Sequence, residues 1–346
     1  MFLNALATAT PPKAFTQSNC WRIAANSGIR QQLRPESMTI LKKVLLADNG
    51  IRRRHFAVDE VEHLFDFDAD TLNRNFERAA PLLAAEALKR ALNRAGLSAN
   101  DLDGVFVCTC TGYLCPGVTS YLSELMDLRS DTHLVDLVGL GCGAAIPTLR
   151  TAAGYLAANP GANIACIAVE ICSAAFYLDD DPGVLISACL FGDGAAATIW
   201  STRDAGIGLR ASGFDTLIRP ADRDLLRFEM KNGKLRNRLQ RTVPSTAAQA
   251  VSELYARKGA SPVEEVIAHP GGRDVLTELR AALPDWTFPH STAVLSEYGN
   301  MSSPSVLFVL EHYLAERKPE HDLWLVSFGA GFSAHACRLG PSGPFA

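Results

Sequence analysis

The stretch that decides the fold is residues 134–169, LVDLVGLGCGAAIPTLRTAAGYLAANPGANIACIAV. Residues 134–138 form a short apolar run typical of a strand, and the glycine-rich turn at 139–145 leads into a helix that extends to Ala158. Residues 163–169 form a second apolar run, which indicates a buried strand. Strand, turn, helix and strand in succession predict an α/β fold.

Further elements are expected on both sides of this unit. Residues 71–95 carry apolar side chains at helical spacing and are followed by Gly96, so we expect a long helix that ends there. A shorter helix is expected at 38–49. Strands are expected at residues 105–109, 195–200 and 206–212.

The second half of the chain repeats the order of elements in the first half. A helix at 246–258 is followed by a strand at 266–268, as the helix at 71–95 is followed by the strand at 105–109. The match is short and gapped. If it reflects a true repeat, it implies two similar α/β halves with a site where their turns meet.

Composition narrows the class of protein. The 346 residues are 48% hydrophobic and 20% charged, with a formal net charge of −4, which is typical of a globular enzyme and argues against a nucleic-acid partner. The sequence contains no apolar run of the roughly 18 residues that a membrane-spanning helix needs, so no membrane partner is expected. We recognise no secretory signal, and nine cysteines are therefore expected as free thiols in a reducing cytoplasm.

A basic segment lies at residues 219–241, with eight Lys or Arg in 23 residues. Asn232-Gly233 within it predicts a β-hairpin. A basic edge near a phosphate-bearing ligand is one interpretation. Acidic neighbours such as Asp224 and Glu229 favour the other, a solvated hairpin.

Three glycine-rich turns carry the residues best suited to chemistry: Cys142 in GLGCGAA, His269 in AHPGG and Asn300 in SEYGNMSS. A thiol at a strand-to-helix turn meets the positive end of the helix, which is expected to lower its pKa. Taken singly, each residue has an ordinary structural interpretation, and Ser302 or Ser303 is expected to cap the helix that runs to residue 316. Together they form a set suited to thiolate chemistry on an acyl group.

These motifs resemble the thiolase superfamily and, within it, the type III polyketide synthases, the chalcone-synthase-like enzymes. The similarity is carried by GLGCGAA (139–145), CLFGDGAAA (189–197), AHPGG (268–272), LSEYGNMSSPSVLFVL (295–310) and SFGAGF (327–332). The related ketoacyl-ACP synthases typically have HQAN and GNTSAAS motifs. HPGG and EYGNMSS at those places favour the polyketide branch.

The resemblance implies a duplicated α/β thiolase fold in five layers, αβαβα, usually as a homodimer. Residues 1–205 would form the half with the nucleophile, and residues 206–346 the half with the His and Asn. The implied activity is that of an acyltransferase, which loads an acyl-CoA starter, extends it with malonyl-CoA by decarboxylative condensation, and cyclises the product to a pyrone or phenolic ring. No metal and no cofactor beyond the CoA thioester substrates is expected.

The resemblance also implies roles for single residues. Cys142 would be the nucleophile, His269 would hold it as a thiolate, and His269 and Asn300 would stabilise the enolate left by decarboxylation. Residues at positions that bind substrate in the family are Phe191, Cys110, Thr111, Cys115, Cys172, Ala175, Ser187, Ser302, Gly271 and Gly331. The basic residues near the CoA phosphates would be Lys42, Lys43, Arg52 and Arg53, with Arg54 beside them.

The sequence departs from the family pattern at several places. The FGPG loop lacks its proline at residues 328–331, and a second gatekeeper phenylalanine is replaced by a polar residue near Asn237. Cys115 stands where relatives have a methionine that reaches across the dimer interface. A differently shaped cavity is therefore expected.

Two alternative functions stay open at the level of the sequence. A ketoacyl-ACP synthase would make a single condensation and depend on a carrier protein. A non-enzymatic thiolase-fold subunit would only pair with a catalytic partner, and it is disfavoured because all three catalytic positions are filled.

Overall fold

The structure, a computed structural model, describes residues 1–65, 67–259 and 262–341. Its strands are β1 (Phe2–Ala9), β2 (Ala14–Thr16), β3 (Arg53–His55), β4 (Gly104–Thr109), β5 (His133–Val138), β6 (Ile164–Glu170), β7 (Gly194–Ser201), β8 (Leu209–Ile218), β9 (Leu226–Lys231), β10 (Lys234–Leu239), β11 (Val263–Ala268), β12 (Asp322–Gly329) and β13 (Ser333–Pro341). Its α-helices are α1 (Gln17–Asn26), α2 (Ile29–Gln32), α3 (Pro35–Leu46), α4 (Ala69–Ala95), α5 (Val118–Leu125), α6 (Ala145–Ala158), α7 (Pro182–Leu190), α8 (Val243–Arg257), α9 (Arg273–Ala282), α10 (Pro289–Tyr298) and α11 (Ser305–Glu316).

One nine-stranded sheet crosses the molecule in the order β11-β12-β13-β8-β1-β7-β6-β4-β5. From the centre outward, β1-β7 and β7-β6 are antiparallel, and β6-β4 is parallel. On the other side, β8-β13 and β13-β12 are antiparallel, and β12-β11 is parallel. The two sides thus repeat one strand order, and β5 lies at the edge of the first side, with no counterpart in the second among the residues that the structure describes.

Helices cover the two outer faces of the sheet. Two further helices, α6 and α11, lie between its first side (β1, β7, β6, β4, β5) and its second side (β8, β13, β12, β11). On one outer face, Leu83 and Leu88 of α4 pack on the first side of the sheet. Between the sides, Leu149 of α6 and Leu310 of α11 share a core with Trp200, among others, and with strands from both halves. On the other outer face, α8 and α9 pack on the second side, with Leu254 near Trp324 in one core cluster. The resulting order is αβαβα, which confirms the predicted fold class.

Local sequence signals account for the element boundaries. The long helix α4 begins after Asp68, whose carboxylate accepts a hydrogen bond from the Thr71 N–H, and it ends at Gly96 with φ of +66°. The turn between β9 and β10 has positive φ at Asn232 and Gly233, as the predicted hairpin requires. The helix expected at 38–49 begins earlier, at Pro35, and ends at Leu46.

Two parts of the fold differ from what the sequence predicts. The strand expected at 206–212 is β8, which begins only at Leu209 and extends to Ile218 because it pairs with β13 along that length. Helices α1 and α2 pack with α3 in a separate core cluster that reaches Leu185 of α7. Within the described ranges, no helix combines the length and apolar character that crossing a membrane requires.

Candidate active site

Cys142 lies in the turn between the end of β5 and the start of α6. Gly141 to Gly143 form a short 3₁₀ turn, and the Cys142 side chain is nearly buried, with 8% of its surface exposed. The backbone of Gly329, at the end of β12, lies directly against this turn. A Cβ added at Gly329 would stand 2.6 Å from the Gly143 nitrogen and 2.8 Å from the Cys142 nitrogen. The cysteine turn of the first half therefore packs on a glycine loop of the second half.

His269 follows β11, and contacts of both its backbone and its ring fix its position. Its N–H donates to the Val326 carbonyl at 2.9 Å, and its ring lies edge-on to Phe328 with centroids 5.1 Å apart. The residue is 1% exposed, and Nδ1 has no hydrogen-bond partner among the described residues. The imidazole is thus fixed in place with one buried nitrogen unengaged.

Asn300 lies between α10 and α11, and its amide is oriented by two hydrogen bonds. Nδ2 donates to the Gly271 carbonyl at 3.0 Å, and Oδ1 accepts from the Ser302 N–H at 2.8 Å. Its backbone N–H donates to the Leu190 carbonyl, while its own carbonyl accepts from Gly192 N–H. These bonds hold the Asn300 loop against the segment that carries Phe191. The second Nδ2 proton makes no hydrogen bond within the described part of the chain.

Ser302 connects the asparagine loop to the thiol. Its Oγ lies 3.2 Å from the Cys142 Sγ and 3.2 Å from the Cys110 Sγ. The expectation that Ser302 or Ser303 caps the following helix is wrong: α11 begins at Ser305 after Pro304, with no side-chain cap, because Ser302 adopts φ of +61° and turns toward the thiols. Ser303 instead donates to Glu170.

Taken together, these contacts join all three loops. A hydrogen-bonded path runs from Cys142 through Ser302 to Asn300, and from Asn300 to Gly271, two residues after His269. The three sequence-predicted catalytic residues therefore lie at one seam between the two sides of the sheet.

A cavity lined mostly by apolar side chains opens beside Cys142. Seven of the predicted substrate-binding residues line it, namely Phe191, Cys110, Thr111, Cys172, Ala175, Ser187 and Ser302. Asn237, near the expected place of the second gatekeeper, also lines it. Residues without a prediction complete the lining: Phe176, Tyr177, Val184, Ala188, Leu226, Arg227 and Phe228. The hairpin β9-β10 supplies several of these, so it forms part of the cavity wall.

Three predicted substrate-binding residues lie outside this lining. Cys115 is exposed in the loop before α5, because the chain leaves the sheet there. Gly271 lies against the Phe328 ring, where an added Cβ would be 3.2 Å from ring carbons. Gly331 occupies the β12-β13 turn with φ of +133°.

The basic residues fall into different environments. Lys42 and Lys43 are exposed on α3, and the Lys42 ammonium lies 5.9 Å from the Trp21 ring centroid. Arg52 and Arg53 both pair with Glu297, Arg53 at 2.8 Å.

Arg54 differs from its two neighbours because it is fully buried. It donates to Gln17 and to the carbonyls of Ala188 and Phe191, at 2.7 Å in each carbonyl contact. Arg54 therefore holds the backbone of the Phe191 segment by hydrogen bonds from the protein interior and does not face solvent.

The basic hairpin is only partly the solvated segment that its acidic neighbours suggested. Arg236 is 7% exposed and bonds to Asp179, Asp181 and Glu229, at 2.9 to 3.0 Å for its nearest contact to each. Asn237 is likewise buried. The interpretation as a solvated hairpin is wrong for these two residues, since the hairpin folds over the cavity instead of projecting into solvent.

Burial dominates the electrostatics of the site. It raises the pKa of the Cys142 thiol to about 12, with Ser302 pulling it down and the Glu170 carboxylate pushing it up. Burial also lowers the pKa of His269 to about 3. The expectation that the helix N-terminus lowers the Cys142 pKa is therefore wrong for the resting state, in which thiol and imidazole are both neutral.

Glu170 is a buried carboxyl for which the sequence gives no prediction. It lies at the end of β6 and accepts hydrogen bonds from the Cys110 N–H at 2.9 Å, and from the N–H and hydroxyl of Thr111 at 3.1 and 2.8 Å. Burial raises its pKa. Because both Cys110 and Thr111 line the cavity, Glu170 fixes that wall from behind.

A five-layer α/β fold with Cys, His and Asn on adjoining loops at its seam defines a condensing enzyme of the thiolase fold. The chain matches the family profile "Chalcone and stilbene synthases, N-terminal domain" over residues 2–203, and the corresponding C-terminal domain profile over residues 216–333. It belongs to this family, and it is a type III polyketide synthase. Enzymes of this family need no cofactor beyond their CoA thioester substrates.

Similar proteins agree with that assignment. The chain is 32% identical over 301 residues to 1,3,6,8-tetrahydroxynaphthalene synthase of Streptomyces coelicolor, a match that covers 84% of this chain and 80% of that one. It is 28% identical over 292 residues to 3,5-dihydroxyphenylacetyl-CoA synthase of Streptomyces toyocaensis, covering 79% and 75%. The crystal structure of the S. coelicolor synthase superposes with a TM-score of 0.86 at 27% identity, covering 99% of this chain and 100% of that one.

Proposed function

We propose that Cys142, His269 and Asn300 carry out the condensation, with Cys142 as the site of acyl loading. The observation that supports this most directly is the hydrogen-bonded path from the Cys142 thiol through Ser302 to Asn300 and the His269 turn, beside the cavity. In loading, the Cys142 proton passes to an imidazole nitrogen of His269. The thiolate attacks the starter thioester, and CoA leaves with that proton.

Burial explains why the proton is transferred within the pair. Either charge alone is costly in this site, as the raised pKa of Cys142 and the lowered pKa of His269 show. A thiolate beside an imidazolium is neutral overall, and the attraction between the two charges offsets part of their desolvation. We therefore expect the proton to move from sulfur to imidazole as the sulfur attacks the starter, so that neither charge stands alone in the buried site.

Chain extension would use His269 and Asn300 on one oxygen. The bond from the malonyl carboxylate to its methylene carbon breaks, carbon dioxide leaves, and the electron pair moves to the thioester oxygen as an enolate. The unengaged Nδ2 proton of Asn300 and an N–H of His269 would donate to that oxygen. The enolate carbon then attacks the acyl group on Cys142 and releases the thiolate.

The cavity favours a short starter and a compact phenolic product. Its wall is formed by the small side chains of Cys110, Thr111, Cys172 and Ala175, and the rings of Phe176 and Phe228 limit the space beside them. The similar proteins are named for hydroxylated aromatic products. We propose that this enzyme joins malonyl units to a small starter and closes them to a hydroxylated aromatic ring.

The test separates loading from decarboxylation. Incubation with short acyl-CoA starters and labelled malonyl-CoA should release CoA and labelled carbon dioxide and give an aromatic product by mass spectrometry. Cys142→Ala should lower product formation by a factor on the order of 10³ or more, while Asn300→Ala should lower malonyl-CoA decarboxylation itself. Cys20→Ala, a buried cysteine outside the cavity, is the matched control.

Two results would contradict the proposed function. Full product formation by Cys142→Ala would remove the nucleophile. A single 3-ketoacyl product formed only with acyl carrier protein would instead support a ketoacyl-ACP synthase.

We also propose that Lys42, Lys43, Arg52 and Arg53 hold the CoA phosphates. Support comes from the exposure of the two lysines and of Arg52, which leaves their charges available at low desolvation cost. Replacing Lys42 and Lys43 together by Gln should raise KM for malonyl-CoA with little change in kcat. An unchanged KM would argue against this site.

A homodimer is proposed from the edge of the sheet. Strand β5 ends the sheet, and Val138 on it is 55% exposed. Tyr113 and Leu125, in the segment between β4 and β5, are 77% and 43% exposed. An open apolar edge favours pairing with a second copy of the same edge. Light scattering should give the mass of a dimer, and Val138→Asp should shift it toward the monomer. A monomeric wild-type protein would contradict the proposal.

The proposed compartment is the reducing cytoplasm, and the proposed halves are residues 1–205 and 206–346, of which 342–346 lie outside the described residues. All nine cysteines are free thiols, which supports the compartment. The repeated strand order on the two sides of the sheet supports the two halves.

A further inference from the structure

A cluster of three potential metal ligands lies on the helix pair that carries the Asn300 loop. Helices α10 and α11 pack against each other and are joined by the loop that contains Asn300 and Ser302. His290 lies at the start of α10, while His312 and Glu316 lie near the end of α11. All three are therefore at the open end of the pair, with about 10 to 17 Å of helix between them and the helix ends that adjoin the loop.

The three side chains converge on one point. The Nδ1 atoms of His290 and His312 are 2.9 Å apart, and the His312 Nδ1 lies 3.7 Å from a Glu316 carboxylate oxygen. One ligand atom from each residue lies within 4.8 Å of the others. His312 and Glu316 are four residues apart on one helix, so they face the same side by construction.

This geometry fits a small divalent cation bound by nitrogen and oxygen. Metal–nitrogen bonds of about 2.0–2.1 Å at angles between a right angle and the tetrahedral value place two imidazole nitrogens about 3 Å apart. The two rings already present nitrogen to nitrogen at that separation. A direct hydrogen bond between them needs a proton on one nitrogen, and a metal ion takes the place of that proton.

The surroundings fix His290 and leave room for a further ligand. His290 is 6% exposed, and its ring lies edge-on to Tyr313 with centroids 5.2 Å apart, so its orientation is set by packing. His312 is half-buried and Glu316 is exposed. Solvent therefore reaches the cluster from the Glu316 side, where a water molecule would complete a four-coordinate site.

We propose that His290, His312 and Glu316 bind a divalent transition-metal ion of the zinc class, which clamps α10 to α11 at the end opposite the Asn300 loop. The ion would close a loop of the chain between residues 290 and 312 and so restrict the unfolded state. It would lie away from Cys142 and take no part in the condensation. Its effect would be on the stability of the helix pair that presents Asn300.

The experiment uses the untagged full-length protein, stripped with a chelator and titrated with Zn²⁺ by calorimetry and with Co²⁺ by absorption. We expect one ion per chain, a rise in Tm on loading, and cobalt d–d bands without the thiolate charge-transfer band that cysteine ligands would give. Glu316→Gln should weaken Zn²⁺ binding about tenfold or more, and His312→Ala should abolish the site. His321→Ala, which removes another exposed histidine, should bind as wild type does.

Several outcomes would overturn the proposal. Equal affinity in wild type and His312→Ala would place the ion elsewhere, and a cobalt thiolate band would assign it to cysteines. No binding at micromolar Zn²⁺ by either method would show that His290 and His312 form a hydrogen-bonded pair only. His312→Ala lies on a half-buried surface position, and an unchanged circular dichroism spectrum would establish that it folds.

Discussion

At the scale of single residues, the position of Cys142 depends on the absence of a side chain at residue 329. A Cβ there would meet the backbone nitrogens of residues 142 and 143 and the Leu140 carbonyl, all at 2.8 Å or less. These are backbone atoms, which cannot rotate away as a side chain does. The thiol can therefore keep its place only if residue 329 stays glycine.

We predict that Gly329→Ala slows acyl loading on Cys142 by about tenfold or more, since a misplacement near 1 Å costs on that order or beyond. The measurement is the rate of CoA release from a starter in a single turnover. Gly154→Ala is the matched control, because nothing lies within 4 Å of its added Cβ in the middle of α6. That variant should load normally and gain up to about 1 kcal/mol in the free energy of unfolding. Equal loading rates in both variants would contradict the prediction.

Asn237 is a second residue whose environment makes a definite prediction. Its Oδ1 is buried in the cavity wall with no hydrogen-bond partner among the described residues. An unpaired buried acceptor costs about 1–3 kcal/mol. Asn237→Leu should therefore raise the free energy of unfolding by about 1 kcal/mol and change the ratio of products, because the cavity loses its acceptor. Chemical denaturation and product analysis give the two readouts; lower stability with unchanged products would count against this role.

The sequence predicted the three chemical residues because each stands in a short glycine-rich motif. It could not predict that Ser302 joins two thiols, since this depends on a positive φ at that residue and on β4 and α6 meeting in space. It also misjudged the Cys142 pKa, because a turn motif shows the helix end but not the depth of burial. Glu170 had no signal beyond one acid at the end of an apolar strand.

At the scale of elements, the hairpin β9-β10 shows that a local sequence motif can specify a turn without specifying what the hairpin packs against. Asn232-Gly233 specifies the turn. The place where the hairpin packs is set by Arg236, which reaches three carboxylates, two of them in the segment before α7. Contacts between residues so far apart leave no periodic pattern in the sequence. The sequence alone therefore favours a solvated hairpin.

Arg236→Met should loosen the hairpin from the cavity. Arg236 is the buried partner that the three acids share, and its removal leaves only more exposed cations with Asp179 and Glu229. We therefore expect a loss of about 2 kcal/mol in the free energy of unfolding, as for hydrogen bonds to charged groups. Water should then enter the cavity more readily, and the fraction of malonyl units released as short hydrolysis products should rise. Arg238→Met, at an exposed ion pair of 3.6 Å, is the control and should cost under about 1 kcal/mol. Similar losses in the two variants would disprove the special role of Arg236.

At the scale of the whole molecule, buried histidines make stability depend on pH. Burial lowers the pKa of His335 to about 4 and that of His269 to about 3, so the folded protein stays neutral at both sites where the unfolded chain takes up protons below about pH 6.5. Stability from these groups is therefore lost as the pH falls from 6.5 toward 4. Asp193 opposes part of this loss, since burial raises its pKa to about 6 and the folded state holds a proton there first.

His335→Gln should accordingly flatten the acid side of the stability curve. Between pH 6 and 5 the slope of unfolding free energy against pH should fall by about 1 kcal/mol per unit, close to the linkage of one proton. Urea denaturation at a series of pH values measures it. An unchanged slope would mean that His335 is already protonated in the folded state or remains neutral in both states.

The pairing of strand β8 has a consequence for the order of the two halves in the chain. Phe2 of β1 and Gly340 of β13 both pair with Arg210, one on each side of β8. Two strands that flank a third lie about 10 Å apart, a distance that a linker of a few residues spans. A circular permutant that begins at β8 and ends at β7 would keep every pairing of the nine-stranded sheet. We therefore expect the same fold to form with the two halves in either order along the chain.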